Sequence, residues 1–256
     1  MSSLRVFFAR IGLLAASFAA CMTAAAAAAN PAALPPFETI VAQFEDVAFG
    51  HEHGASQGVV QKWTEMPSLA LYRAADYDIN PYLRAIIGHF KAISELTGVK
   101  ISTASAPEGA TLRLGFYPRS DFGKMPGRKD DPEFRRWVAT SACIAIAVND
   151  SEEIGRIKAG AIAIGTDIPE QQRQHCILEE IVQVMGLPND ACHYRPSLFC
   201  EYDRVFSLTP ADAILLRTLY DRRLPAGMKK DEARPIVRQI IAERMAETAP
   251  TLAKLP

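Results

Sequence analysis

The stretch Glu179-Glu180-Ile181-Val182-Gln183-Val184-Met185-Gly186-Leu187-Pro188-Asn189-Asp190 decides how the rest of the chain is read. It has the pattern of a helix's last turns followed by a sharp stop. Isoleucine, valine and methionine supply an apolar face, and Gly186 suits the left-handed conformation that ends a helix. Pro188 forbids continuation, because it lacks the backbone donor and its ring clashes with the preceding turn. Glu179 and Gln183 stand four residues apart and therefore project from one helical face. Glu180 sits beside them, and Asn189 and Asp190 follow just past the turn.

This layout has the shape of a zinc-hydrolase helix. In H-E-x-x-H two histidines bind the metal from one face, and the glutamate between them acts as base. In the longer form a G-x-x-H extension turns the chain and adds a third histidine. The present sequence reads E-E-x-x-Q-x-x-G-x-x-N. The base position, Glu180, and the turn, Gly186, are kept, while all three ligand positions are changed, to Glu179, Gln183 and Asn189. Zinc favours imidazole and thiolate, and carboxamide oxygens are weak ligands. The sequence therefore predicts no bound metal and no cofactor.

The run from Cys176 through Asp190 resembles a secreted bacterial family known as a domain of unknown function, number 2927. Leu208-Thr209-Pro210-Ala211-Asp212 and Leu219-Tyr220-Asp221-Arg222-Arg223-Leu224-Pro225-Ala226-Gly227-Met228 match the same family. The family usually reads Y-D-P-R-L, so Arg222 is a departure within a turn. The likeness spans roughly Phe37 to Met228. It implies a zincin-like fold and frequent lipoprotein status, with no activity assigned.

Address comes from the N-terminus. Arg5 and Arg10 precede an apolar core from Ile11 to Ala20 that is too short to span a bilayer as a stable helix, so residues 1–29 read as a signal peptide. Two endings compete: cleavage after Ala27-Ala28-Ala29, or a lipobox at Phe18-Ala19-Ala20-Cys21 with lipidation of Cys21. Residues 30–36 read as an alanine- and proline-rich tether. Export to the periplasm or the cell envelope is the expected localisation, with a membrane partner only through the lipid anchor. The formal charge of −1 in 256 residues, with no block of like charge, argues against nucleic acid. Removing Arg5 and Arg10 from 28 basic residues leaves 26 against 29 acidic ones, a mildly acidic mature chain.

Four cysteines remain after Cys21. An even count in an exported protein suggests disulfides, and C-x-x-C zinc spacing is absent. Cys192 and Cys200 flank a short loop and form the natural pair, which leaves Cys143 with Cys176; buried free thiols are the competing reading.

The remaining elements follow from periodicity. Phe37–Phe49 and Pro81–Thr97 read as helices, the second with Leu83, Ile86, Ile87, Phe90, Ile93 and Leu96 on one face. Strands are expected at 59–63, 68–73, 99–102, 111–117, 142–148 and 159–165, the last two buried on both faces. Residues 118–137 read as a surface excursion. Thr209 is a good N-cap for a helix over 211–220, with Asp212 at its third position. His51-Glu52-His53 reads as solvated loop, and His89 as a boundary residue. The expected fold is α+β and zincin-like: a twisted mixed sheet backed by helices, with the motif helix at 169–185. One domain is expected over 37–228, followed by a C-terminal helix and tail over 229–256.

Three functions fit the motif helix. The first is a non-catalytic binding or scaffold protein of the envelope, with a protein, peptide or glycan partner. The second is a peptidase-like hydrolase that keeps Glu180 as base beside His175 or His193. The third is a structural network in which Glu179, Glu180, Gln183, Asn189 and Asp190 satisfy one another. The first and third together outweigh the second. Exposure discriminates between them: an open polar face favours binding or chemistry, a sealed one the network.

Overall fold

The computed structural model describes residues 34–51, 57–124 and 131–252. The signal segment, Cys21, Glu52 and His53 lie outside the described residues, as does the tether up to residue 33.

The architecture is a mixed sheet backed by helices. Its strands are β1 (Lys62–Trp63), β2 (Ser68–Arg73), β3 (Ser102–Thr103), β4 (Leu112–Tyr117), β5 (Cys143–Asn149) and β6 (Arg156–Gly165). The helices are α1 (Phe37–Phe49), α2 (Asn80–Thr97), α3 (Pro132–Thr140), α4 (Glu170–Gln183), α5 (Pro210–Leu219) and α6 (Lys230–Leu252). β3, β2, β4 and β6 lie side by side and parallel, and β1 also pairs parallel with β6. β5 alone runs antiparallel, as the second arm of a hairpin with β6. Ile162 is opposite Leu114 on one side and Ala145 on the other, so β5 forms the sheet's edge beyond β6.

Alternation within the strands builds two cores. Leu112, Leu114 and Phe116 of β4, with Ile162 and Ile164 of β6, join α1, α2, α4, α5 and α6 in the main one. The other face carries Ile144 and Ala163, covered by Phe122 and Val138. Residues 118–137 are thus more than a surface excursion. A 3₁₀ turn (Arg119–Lys124) and α3, which Asp131 caps through its side chain, close the second core. The charge-rich composition concealed a short helix whose single buried residue is Val138.

Other boundaries match the sequence reading, with informative exceptions. β1 and β3 are two residues each, shorter than the apolar runs that predict them. β5 is half-exposed rather than buried on both faces, because an edge strand has one neighbour. Ile87 is 64% exposed, outside the buried face of α2. The core also continues past Met228: Ala233, Val237, Ile240 and Ile241 of α6 are fully buried in it.

α4 is fastened at both ends. At its start the Arg173 guanidinium donates to the carbonyls of Gly165 (3.2 Å), Thr166 (2.9 Å) and Ile168 (2.6 Å), and to Glu170 (2.8 Å). A buried charge so fully hydrogen-bonded holds the β6–α4 turn rather than awaiting a ligand. At its end Trp63 Nε1 donates to the Val184 carbonyl at 3.0 Å and the Tyr220 hydroxyl to that of Met185 at 2.7 Å. These are among the carbonyls a helix terminus leaves without an internal partner. Gly186 then turns with φ +115°, and a Cβ there would collide with the Gln61 carbonyl oxygen.

A candidate binding cleft on helix α4

Gln172, His175, Glu179 and Gln183 recur at helical spacing and share one face of α4. That face forms the floor of a cleft of about 260 Å³. One wall is Trp137 of α3 with Ser141, Ala142 and Cys143 leading into β5; the other is Glu201 and Arg204; Glu180 and Asp190 also line it. The polar face lines this cleft, yet its residues are deeply set: His175 is 3% exposed, Glu180 4%, Gln183 6% and Glu179 8%.

His175 is held on both ring nitrogens. Its Nδ1 lies 3.1 Å from both the carbonyl oxygen and the amide nitrogen of Val205, and its Nε2 lies 3.4 Å from Glu179 Oε1. Burial pushes the imidazole pKa down, but the Glu179 carboxylate and the Val205 carbonyl favour the charged form and raise it on balance. Gln183 donates from Nε2 to Asp190 Oδ1 at 2.9 Å, which ties the helix to the loop beyond the turn.

Two predicted site residues lie elsewhere. Asn189 donates from Nδ2 to the Asp46 carbonyl at 3.1 Å and to the Asp190 carbonyl at 3.0 Å. His193 Nε2 is 2.7 Å from Asp46 Oδ2, and its backbone N–H donates to Gln43 Oε1 at 2.9 Å. Both side chains fasten the post-helix loop to Asp46 near the end of α1, Asn189 through the backbone carbonyl and His193 through the carboxylate. The histidine that shares the cleft with Glu179 and Glu180 is His175.

The residues do not fit a zincin-type zinc. Of the three equivalent positions, Asn189 serves the end of α1 and Gln183 is engaged by Asp190, leaving Glu179 as the single anionic donor. A neutral amide is a poor zinc ligand, and one carboxylate competes weakly with water.

The loop that supplies Glu201 and Arg204 is held from below. Disulfides join Cys192 to Cys200 and Cys143 to Cys176. Beneath the loop the fully buried Asp212 accepts from Tyr194 Oη (2.8 Å), Ser197 Oγ (2.9 Å), and the amides of Leu198 (3.1 Å) and Thr209 (3.3 Å). Asp212 thus closes the expected capping box of α5 and also anchors the stapled loop. Burial pushes its pKa up against those hydrogen bonds.

Sequence reasoning missed Trp137, Glu201 and Arg204 as cleft walls. No spacing rule links positions so far apart in the chain, and only the Cys143–Cys176 pairing hinted that β5 reaches α4. It also gave Trp63 and Tyr220 no role, although an aromatic with a polar tip beside a helix end is a recognisable signal. A larger depression of about 670 Å³ lies between α5 and α6. Its Arg217, Arg223 and Arg244 are committed to Glu247, Asp221 and Glu243, so it reads as an ion-pair network.

No curated protein matches the chain. The profile of a family described as "Protein of unknown function (DUF2927)" matches residues 38–239, from α1 into α6 and across every residue of the cleft. The chain is a member of that family.

Proposed function

We propose that this protein is exported to the cell envelope and binds a peptide or glycan there without turning it over, using a zincin-like scaffold whose metal ligands have been replaced. The observation that carries this reading is the cleft over α4, lined by Glu179, Glu180, Asp190 and Glu201 against a single arginine, Arg204. Carboxylates accept hydrogen bonds, so the cleft selects a ligand rich in donors: ammonium groups, amides or sugar hydroxyls. Trp137, which meets Phe134 edge-on, adds an aromatic ring to the cleft wall, suited to a cation or a sugar ring. The parallel sheet with one antiparallel edge strand beside the motif helix supports the zincin likeness. Two disulfides and the charged, then apolar, N-terminus support export. Among the described residues no helix is long and apolar enough to cross a membrane.

Hydrolysis with Glu180 as base is the second reading, favoured by Glu180 lining the cleft beside the His175–Glu179 pair. Calorimetric titration with amino-sugar oligomers and lysine-containing peptides separates the two. Binding by the wild type that weakens at least tenfold in Glu180→Gln, with the ligand recovered intact, is expected; a charged hydrogen bond of about 1.5–3 kcal/mol corresponds to that loss. Ligand cleaved by the wild type and not by Glu180→Gln would establish the hydrolase instead.

A further inference from the structure

His175 meets the cleft wall in a way that depends on its own proton. Val205 turns both its N–H and its carbonyl to one ring nitrogen: Nδ1 lies 3.1 Å from each. A ring nitrogen without a proton accepts and one with a proton donates, so Nδ1 serves one of the two groups at a time. Nε2 is 3.4 Å from Glu179 Oε1, and a carboxylate asks for a donor in either state. In the neutral ring the proton therefore sits on Nε2, and Nδ1 accepts from the Val205 N–H. In the charged ring both nitrogens carry protons, and Nδ1 donates to the Val205 carbonyl.

We propose that His175 is a pH-operated latch between α4 and the loop over 201–208, exchanging the N–H of Val205 for its carbonyl when the ring takes a proton. The proton comes from solvent and adds to Nδ1. It sets two donors, Nδ1–H and the Val205 N–H, against each other. Both residues are buried, and a buried donor left without an acceptor is costly, so the Val205 peptide turns.

The loop is anchored on either side of Val205. Asp203 accepts from Arg195 Nη2 at 2.6 Å and from the Ser197 amide at 3.0 Å, and the Thr209 amide donates to Asp212 at 3.3 Å. A turn at Val205 is confined between these anchors, where it acts directly on Arg204, the arginine of the cleft wall. Among the charged neighbours Glu179 and Asp203 favour the charged ring and Arg204 opposes it. Glu180, Asp190 and Glu201 line the same cleft and add negative charge to it. Burial works against the imidazolium, but Glu179 and the Val205 carbonyl outweigh it and raise the pKa. The carbonyl-bound state therefore holds at mildly acid pH and is released as pH rises through that raised value. The latch needs only the chain itself and stands apart from the ligand proposed above.

Nuclear magnetic resonance of the full chain, labelled with ¹⁵N-histidine and ¹⁵N-valine, tests the latch from about pH 5 to 9. The Val205 signal is the valine amide missing from Val205→Ile. Expected is a neutral ring protonated on Nε2 alone, with the Val205 amide shifting at the same midpoint as the ring nitrogens. Glu179→Gln should lower both midpoints together by about one pH unit or more. His175→Asn should hold the Val205 amide constant throughout. A neutral ring protonated on Nδ1, or a Val205 amide that does not follow the ring, would overturn the proposal in the wild type alone. So would unchanged midpoints in Glu179→Gln, or a Val205 amide still titrating in His175→Asn.

Discussion

Tyr220 and Trp63 tie the stretch around residue 220 to a helix forty residues earlier. Both donate to the carbonyls just past α4, those of Val184 and Met185, and the Tyr220 hydroxyl also accepts the Trp63 amide at 3.2 Å. Tyr220→Phe and Trp63→Phe should each cost about 1–3 kcal/mol, because each leaves a buried carbonyl without its partner. Urea denaturation measures this; a loss below about 0.5 kcal/mol would show that the contacts are dispensable. Lys62 lies in the same corner, donating to the carbonyls of Leu219 (3.1 Å) and Asp221 (3.4 Å). Burial pushes its pKa down to about 8, against the attraction of Asp221. Between pH 8 and the ordinary lysine value the unfolded chain binds more protons than the folded one, so stability from this group rises with pH. Relative to Lys62→Met, the wild type should therefore gain stability from pH 7.5 to 10, and an equal slope in both proteins would contradict the assignment.

At the scale of elements, α4 is the piece on which sequence and structure agree best. Its stop at Gly186, the capping box at Thr209 and Asp212, and both disulfides were legible because each depends on local spacing or on parity of cysteines. α3 was not, because its apolar side is too narrow to show periodicity within a charged stretch. The edge position of β5 was not legible either, since its residues meet a core on each face and its apolar run therefore looks like that of a central strand. Asn189 and His193 stand apart from the cleft, at Asp46 of α1, which was not legible because a motif alignment places residues along the chain and says nothing of the α1 terminus nearby. Two predictions belong here. Removing the Cys192–Cys200 bridge should cost about 2–3 kcal/mol in the chain-entropy model, given its separation of 8 residues. Retention of full stability in Cys192→Ser/Cys200→Ser would show that Asp212 alone holds the loop. The His175–Glu179 pair gives the second. The folded pKa of His175 is raised, so its stabilisation is complete below the unfolded value and is lost as pH rises through the folded one. Stability of the wild type should fall relative to His175→Asn as pH rises above about 6.5, and a parallel profile would exclude the pair.

For the whole molecule, the helices and the edge strand shape one acceptor-rich cleft over α4, while Arg217, Arg223 and Arg244 in the larger depression are paired with carboxylates. The oxidised protein should keep its melting temperature in chelator, because a ligand bound only to the native state would raise it. One equivalent of zinc lost together with stability would reverse that expectation. Recognition at the cleft is the central claim, and the two tryptophans report on it separately. Trp137 stands at the cleft wall, whereas Trp63 is buried and hydrogen-bonded to Val184 at the far end of α4. The direct measurement is the pair of indole N–H resonances during titration with soluble cell-wall fragments that carry amino sugars and peptide. A saturable shift of Trp137, a fixed Trp63 and intact fragments are predicted; a motionless Trp137 at saturating fragment, or fragments consumed, would contradict the account.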